Sequence, residues 1–302
     1  MVVFRGMCDA SGAVGLSGSR FAVADDEDNV LRVYDGEQGG DPVYSIDVSS
    51  ALDLVANEVK TPEADIEAAT RLGDRALWLT SHGLSSSGQL QPSRFCFFAT
   101  TAPSAGLALT PVGTAYHALL EDMLSAPELA RFNLRAAAQL AAKAPGGLNI
   151  EGMTQRADGT SVLIGFRNPV PEDQALLVPL LNPLELIAGK HAKFGEPLLL
   201  PLGGRGVRSL TLWRGRYLIM AGSPGNAHRS MLFIWDGSSA PRPFPDLDLD
   251  DINPEAFVSR DEQAEVMLLS DDGTAEIEGQ PCKKLEDREK KSFRGLWVRV
   301  AP

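Results

Sequence analysis

Histidine and cysteine are scarce in this chain of 302 residues, with four of the first and three of the second. His117, His191 and His228 have no second histidine or carboxylate at ligand spacing, which argues against a zinc site built from His and Cys. Cys8, Cys96 and Cys282 are odd in number and unrelated in spacing, so free thiols in a reducing cytoplasm are expected, with a reactive thiol at Cys8 as the alternative. Basic residues are outnumbered, 28 Lys and Arg against 40 Asp and Glu, for a net charge of -12. Phosphate backbones are held by clustered cations, so no nucleic-acid partner is expected. No apolar run approaches the roughly 20 residues that cross a bilayer, and Met1 to Gly12 lacks the basic start and apolar core of a secretion signal. The expected location is therefore cytoplasmic, without membrane contact.

Several catalytic and binding signatures are also missing. There is no Ser nucleophile elbow or phosphate loop, and Gly203-Gly204-Arg205-Gly206 is not followed by a helical pattern as a dinucleotide fingerprint would be. The acidic run from Asp25 to Asn29 lacks the Gly and distal Glu of an EF-hand and reads as a turn. The basic cluster Lys283, Lys284 and 288–291 is interleaved with Glu286, Asp287 and Glu289 and reads as a solvated loop.

What is present is a repeat. Asp65-Ile66-Glu67-Ala68, Asn149-Ile150-Glu151-Gly152 and Asn253-Pro254-Glu255-Ala256 share one pattern. Weaker copies, Asp9-Ala10-Ser11-Gly12 and Gly206-Val207-Arg208-Ser209, stand where a regular repeat requires them. Each copy is followed by an apolar run that stops at a polar turn, 14 to 16 residues after the third motif position, at Asp25, Ser81, Arg167, Gly222 and Asp271. Third runs follow at 30–34, 94–100, 175–181, 231–235 and 296–300, and fourth runs at 42–48, 109–113, 196–202 and 241–247. Runs rich in β-branched and aromatic residues between Gly, Pro, Asp and Ser are strands. A period of roughly 40 to 50 residues plus insertions indicates a propeller or solenoid.

The fifth repeat lacks a fourth run, and Val2-Val3-Phe4 can supply it, closing the ring and protecting its edges. The expectation is an all-β chain forming a single five-bladed β-propeller domain over 1–302. A helical hairpin is inserted at about 114–146, where Leu119, Leu120, Met123, Leu124, Leu129, Leu134 and Leu140 recur at helical spacing. It is either a lid over the channel or a packed insertion on the rim.

Equivalent positions in five blades form rings around one axis. The first ring is Ser11, Glu67, Glu151, Arg208 and Glu255; the turn positions add Asp25, Ser81, Arg167, Gly222 and Asp271, then Asp26, His82, Asn168, Ser223 and Asp272. Three carboxylates and one guanidinium in a narrow channel require compensation. One solution is a hard cation, Ca2+ or Mg2+, on Glu67, Glu151 and Glu255. The other is a structural network in which Arg167, Arg205 and Arg208 neutralise the glutamates. Arg167 and Arg208 present forks suited to a carboxylate or phosphate ester, and His82 is the candidate proton carrier. The two functions that follow are a metal-assisted ester or phosphoester hydrolase with catalytic His82, Arg167 and Arg208, and a non-catalytic scaffold. The scaffold would bind a small anionic molecule or a protein loop at the channel mouth.

The strings Asp25-Asp26-Glu27-Asp28-Asn29 with Leu31-Arg32-Val33-Tyr34, Ser81-His82-Gly83, Leu148-Asn149-Ile150-Glu151-Gly152, Gly165-Phe166-Arg167-Asn168-Pro169 and Gly203-Gly204-Arg205-Gly206-Val207-Arg208-Ser209 carry a resemblance over nearly the whole chain. The chain resembles the bacterial family catalogued as domain of unknown function 3616, which implies a propeller and no particular activity. The Asn-x-Glu-Gly motif is more loosely similar to the esterase-like phytases and related calcium-binding propellers.

Overall fold

The computed structural model describes residues 1–54, 62–104, 106–225, 230–244, 247–259 and 264–300. His228 and residues 245–246 of the expected run at 241–247 lie outside them. The apolar runs are strands, and their burial shows why they are apolar. The second strand of each blade is sandwiched between neighbouring blades: Val162–Asn168 is buried at every position, and Arg75–Thr80 at all but its first. The inner strand Ile66–Leu72 alternates instead, with one face on the core and the other on the channel.

The first blade is Ala10–Gly15, Arg20–Asp25, Val30–Asp35 and Tyr44–Asp47; the second is Ile66–Leu72, Arg75–Thr80, Phe97–Thr101 and Pro111–Tyr116. The third is Asn149–Gln155, Val162–Asn168, Ala175–Leu180 and Leu198–Leu200, and the fourth Gly206–Trp213, Arg216–Gly222, Met231–Trp235 and Arg242–Pro243. The fifth blade takes Pro254–Val258, Glu265–Ser270 and Ser292–Arg299 from the end of the chain and Val2–Arg5 from its start. All are antiparallel, and the inner strands contact one another in ring order, the fifth against the first. The five-bladed propeller with an N-terminal closing strand is therefore as expected.

Closure is tight. Val2 pairs with Gly295 and Arg5 with Ser292. Phe4 is fully buried, with its ring 4.9 Å from Phe293, 5.2 Å from Phe21 and 5.3 Å from Tyr34. The Tyr34 hydroxyl donates to the Arg5 carbonyl at 2.5 Å. Around the channel, hydroxyls stitch blade to blade: Thr70 Oγ1 accepts from the Gln155 amide at 2.9 Å and Thr154 Oγ1 from the Leu212 amide at 2.8 Å. Close blade contact also dictates Gly206, where a Cβ would sit 1.9 Å from the Arg167 carbonyl oxygen.

Two expectations need correction. Cys8 and Cys282 are not free thiols but a disulfide, which joins the loop of the fifth blade to the link between the closing strand and the first blade; Cys96 is the buried free cysteine. The odd cysteine count concealed a pair 274 residues apart in sequence. The basic cluster is likewise more than a solvated loop: Lys283 pairs with Glu27 at 2.9 Å and Arg288 with Asp28 at 3.4 Å, both across the seam between last and first blades.

The inserted helices are Leu119–Ser125, a 3-10 turn Pro127–Phe132, and Leu134–Ala137, while residues 114–116 complete a strand of the second blade. Leu119, Leu120, Met123, Leu129 and Leu134 are buried in the hydrophobic cluster shared with the second and third blades, so the insertion is packed on the rim. Its return segment reaches inward, where Asn168 Nδ2 donates to the carbonyls of Ala142 and Ala144. Among the described residues no helix is long and apolar enough to cross a membrane.

Because the closing strand has no covalent neighbour in its blade, its side chains and the disulfide should both bear on global stability. Phe4→Ala is expected to cost about 3–5 kcal/mol, and Cys8→Ser with Cys282→Ser about 2–4 kcal/mol. Denaturant unfolding of each variant checks this, and an unchanged midpoint in either case would contradict it.

A charged layer at the channel mouth

Every inner strand carries a bulge at the same place. The pairing with the second strand slips between Ala10 and Ala13, Ile66 and Ala68, Ile150 and Gly152, Val207 and Ser209, and Pro254 and Ala256. The residues left over are Ser11 with Gly12, and then Glu67, Glu151, Arg208 and Glu255. The ring read from the sequence is thus a ring of bulges, which bend a strand and re-aim a side chain.

The ring divides into two unlike halves. On the side of the third to fifth blades, arginines answer the glutamates. Arg167 Nη1 donates to Glu151 Oε1 at 2.7 Å, and its Nε and Nη2 donate to the carbonyls of Ser223 and Gly225. Arg208 pairs with Glu255, lies 3.8 Å from Glu151 Oε2, and donates to Asn253 Oδ1 at 2.9 Å. Asn149 Nδ2 adds a bond to Glu151 Oε1 at 2.7 Å. Burial lowers the basicity of Arg208 and Arg167, but for Arg167 the Glu151 carboxylate outweighs it and the net direction is up; Arg208 ends below its ordinary value.

On the side of the first and second blades, carboxylates gather. Asp26, Asp65 and Glu67 each bring an oxygen within 4.8 Å of the others, as do Asp9, Asp25 and Asp26. Asp65 is held by Arg94 Nη1 at 3.0 Å and by the Ser81 hydroxyl. Asp9 lies so close over Gly273 that a Cβ there would meet its Oδ1 at 1.6 Å. Burial, followed by the neighbouring Asp271, pushes Asp9 up to about 8; burial and Asp28 push Asp25 up to about 7. Asp65 rises to about 6 through burial, against the pull of Arg94. Asp26 and Glu67 are raised well above the carboxylate range, Asp26 by burial and Glu67, Glu67 by burial and then Glu151.

His82 follows Ser81 in this half, with left-handed backbone at φ 54°, as Asp65 has at φ 58°. Its Nδ1 lies 2.9 Å from the Thr80 carbonyl and burial lowers it to about 4, so the ring is neutral with Nε2 bearing the lone pair. At the equivalent positions of three consecutive blades, Asp26 Oδ1, His82 Nε2 and Asn168 Oδ1 are buried acceptors with no hydrogen-bond partner among the described residues; Asn149 Oδ1 is another. The structure thus gives the glutamates proposed as joint ligands different partners: Glu151 and Glu255 stand against arginines, and Glu67 stands with Asp26 and Asp65. The contribution of Asp9, Asp65 and Asp26 was not drawn out from the sequence, although the leading residues of the first two motif copies and the first acidic turn marked them.

A five-bladed propeller with a charged layer across its axis is the class of protein that this fold and site define. The chain belongs to the family described as protein of unknown function (DUF3616), whose model matches residues 103–275. No curated protein matches it in sequence. The glutaminyl cyclase of Myxococcus xanthus is similar in structure, with a TM-score of 0.51 at 9% identity over 100% of this chain and 96% of that one, a likeness of fold alone. The aldose sugar dehydrogenase of Streptomyces coelicolor, in its PQQ-bound form, has a TM-score of 0.46 at 9% identity over 99% and 97% of the two chains.

The raised carboxyls set a pH dependence. Each binds a proton in the folded chain that the unfolded chain has already released, so folding stability falls as pH rises from about 4 towards 8. Carboxyls held low, such as Asp158 at about 2, lose their contribution only below that window. Thermal melts in EDTA are therefore expected to fall steadily between pH 5 and pH 8; a flat or rising profile would refute the layer's electrostatics.

Proposed function

We propose that this propeller binds a hard divalent cation, Ca2+ or Mg2+, at the channel mouth through Asp26, Asp65 and Glu67, and that the bound cation serves a small anionic ligand of the ester or phosphoester class. The observation that carries this reading is the buried Oδ1 of Asp26, without a hydrogen-bond partner among the described residues, inside a set of three carboxylates within 4.8 Å of one another. The donor set fits: all ligand atoms are oxygens, as hard cations require, and Asn168 Oδ1 and Asn149 Oδ1 are neutral donors at neighbouring positions. Of the original trio of Glu67, Glu151 and Glu255, the last two have their charge met by Arg167 and Arg208, so their part in this reading is to hold the layer together.

A cation there would supply charge neutralisation and polarise an ester or phosphoryl oxygen. The protein's own residues would position it: Ser81 and Arg94 orient Asp65, and the bulge orients Glu67. A hydrolase is the second reading, favoured by the buried, unpartnered Nε2 of His82, a lone pair whose basicity an anionic substrate beside it would raise. On that reading Arg167 and Arg208 offset charge on the substrate, for which each must release a glutamate. The non-catalytic scaffold, holding an anionic molecule or a protein loop, is favoured by those same ion pairs. The expected cytoplasmic location stands against the Cys8–Cys282 disulfide, since such bonds persist mainly in oxidising compartments.

Elemental analysis joined to thermal melts tests the reading. At pH 8 the protein is expected to melt about 5 °C higher with Ca2+ or Mg2+ at a hundredfold excess over Kd than in EDTA. Asp26→Asn should abolish that shift while leaving the EDTA melt at least as high, because it removes a buried like charge. No shift with any divalent ion would overturn the proposal. Turnover on ester and phosphoester panels, lost in His82→Gln with the cation shift intact, separates the hydrolase from the scaffold.

A further inference from the structure

Behind the charged layer the channel is open. A cavity of about 840 Å³, within the size range of small-molecule sites, runs along the inner strands of all five blades to the hairpin turns of the opposite face. Glu67 and Glu151 line its inner end, and Gln155 stands at the strand end nearest those turns. Glu151 is 3% exposed and its Oε2 has no hydrogen-bond partner among the described residues, since Arg167 and Asn149 both bond the other oxygen. Arg208 Nε lies 3.8 Å from it. Arg167 and Arg208 approach Glu151 from the mouth side, where they are tied to Ser223, Gly225 and Asn253. A buried carboxylate oxygen without a hydrogen-bond partner among the described residues therefore lies in the wall at the inner end of an open cavity.

The walls narrow the choice of ligand. Several of their hydroxyls are already committed: Thr70 and Thr154 accept amides of the next blade, and Thr211 bonds Ser259. Ala68, Met153 and Leu210 set small apolar patches between the polar groups of the wall. A hard divalent ion is better served by the three clustered carboxylates of the mouth than by Glu67 and Glu151 at this end of the channel. An ammonium has three donors to place, and two carboxylates with a hydroxyl or carbonyl satisfy it. We infer that the channel is a second binding site, for a small primary amine with a slender aliphatic body, which enters from the hairpin face and ends on Glu151 and Glu67. This site does not depend on the cation at Asp26, although the two share Glu67.

Calorimetry on the whole chain in EDTA, with n-butylammonium and putrescine as probes and n-butanol as the neutral counterpart, tests the inference. Either amine is expected to bind at least roughly tenfold more tightly than the alcohol. Gln155→Trp, which fills the hairpin end without touching the charged layer, should weaken amine binding by roughly tenfold or more while leaving the divalent-cation melt shift in place. Asp26→Asn should do the reverse, so failure of one site is distinguishable from failure of the other. Glu151→Gln should also weaken the amine, and if that variant does not fold, Gln155→Trp still decides. No amine binding up to about 10 mM, equal binding of the alcohol, or full amine binding in Gln155→Trp would overturn the inference.

Discussion

Closure of the ring is the constraint on which the rest of the molecule depends. A strand from the start of the chain must finish a blade made from its end, and the contacts at the seam are correspondingly dense. Phe4 is set among Phe21, Tyr34 and Phe293, Cys8 is bonded to Cys282, and Lys283 and Arg288 reach the acidic turn of the first blade. Once the ring is closed, five inner strands must share a narrow axis. Their side chains at equivalent heights then meet whatever their charge, and a bulge in each strand turns one of them out of the regular alternation.

The consequence is a layer whose charge is uneven. Arg167 and Arg208 enter from the third and fourth blades and meet Glu151 and Glu255. The first and second blades supply Asp9, Asp25, Asp26, Asp65 and Glu67 against Arg94 and the more distant Lys283. Buried like charges are tolerated only by holding protons or by holding a cation. Such a layer costs stability wherever its charge is not compensated. The same layer divides the axis into a mouth where Asp26, Asp65 and Glu67 cluster and a channel whose inner end is lined by Glu67 and Glu151.

Much of this was legible beforehand. Strand runs and turn residues located the blades, since a second strand buried on both faces is apolar up to the polar turn that ends it, as residues 162–166 are before Arg167 and Asn168. The repeat located Glu67, Glu151, Arg208 and Glu255, which prove to be the bulged positions. It was silent on which carboxylates lie close: Asp26 and Asp65 belong to different blades and different elements, and only the curvature of the ring brings them to Glu67. The disulfide was hidden for a similar reason, because spacing carries no information when the partners lie at opposite ends of the chain.

The amino-acid sequence by itself determined the local order of strands, the blade number, the closing strand and the identity of the ring residues. These follow from periodicity, and periodicity is a property of neighbouring residues. Tertiary structure alone decided which glutamates meet arginines, that the inserted helices pack on the rim, that Cys8 finds Cys282, and that a cavity lies behind Glu151. Each of these depends on distances between residues far apart in the chain. Electrostatic energy and packing are set by such distances, and no local pattern encodes them.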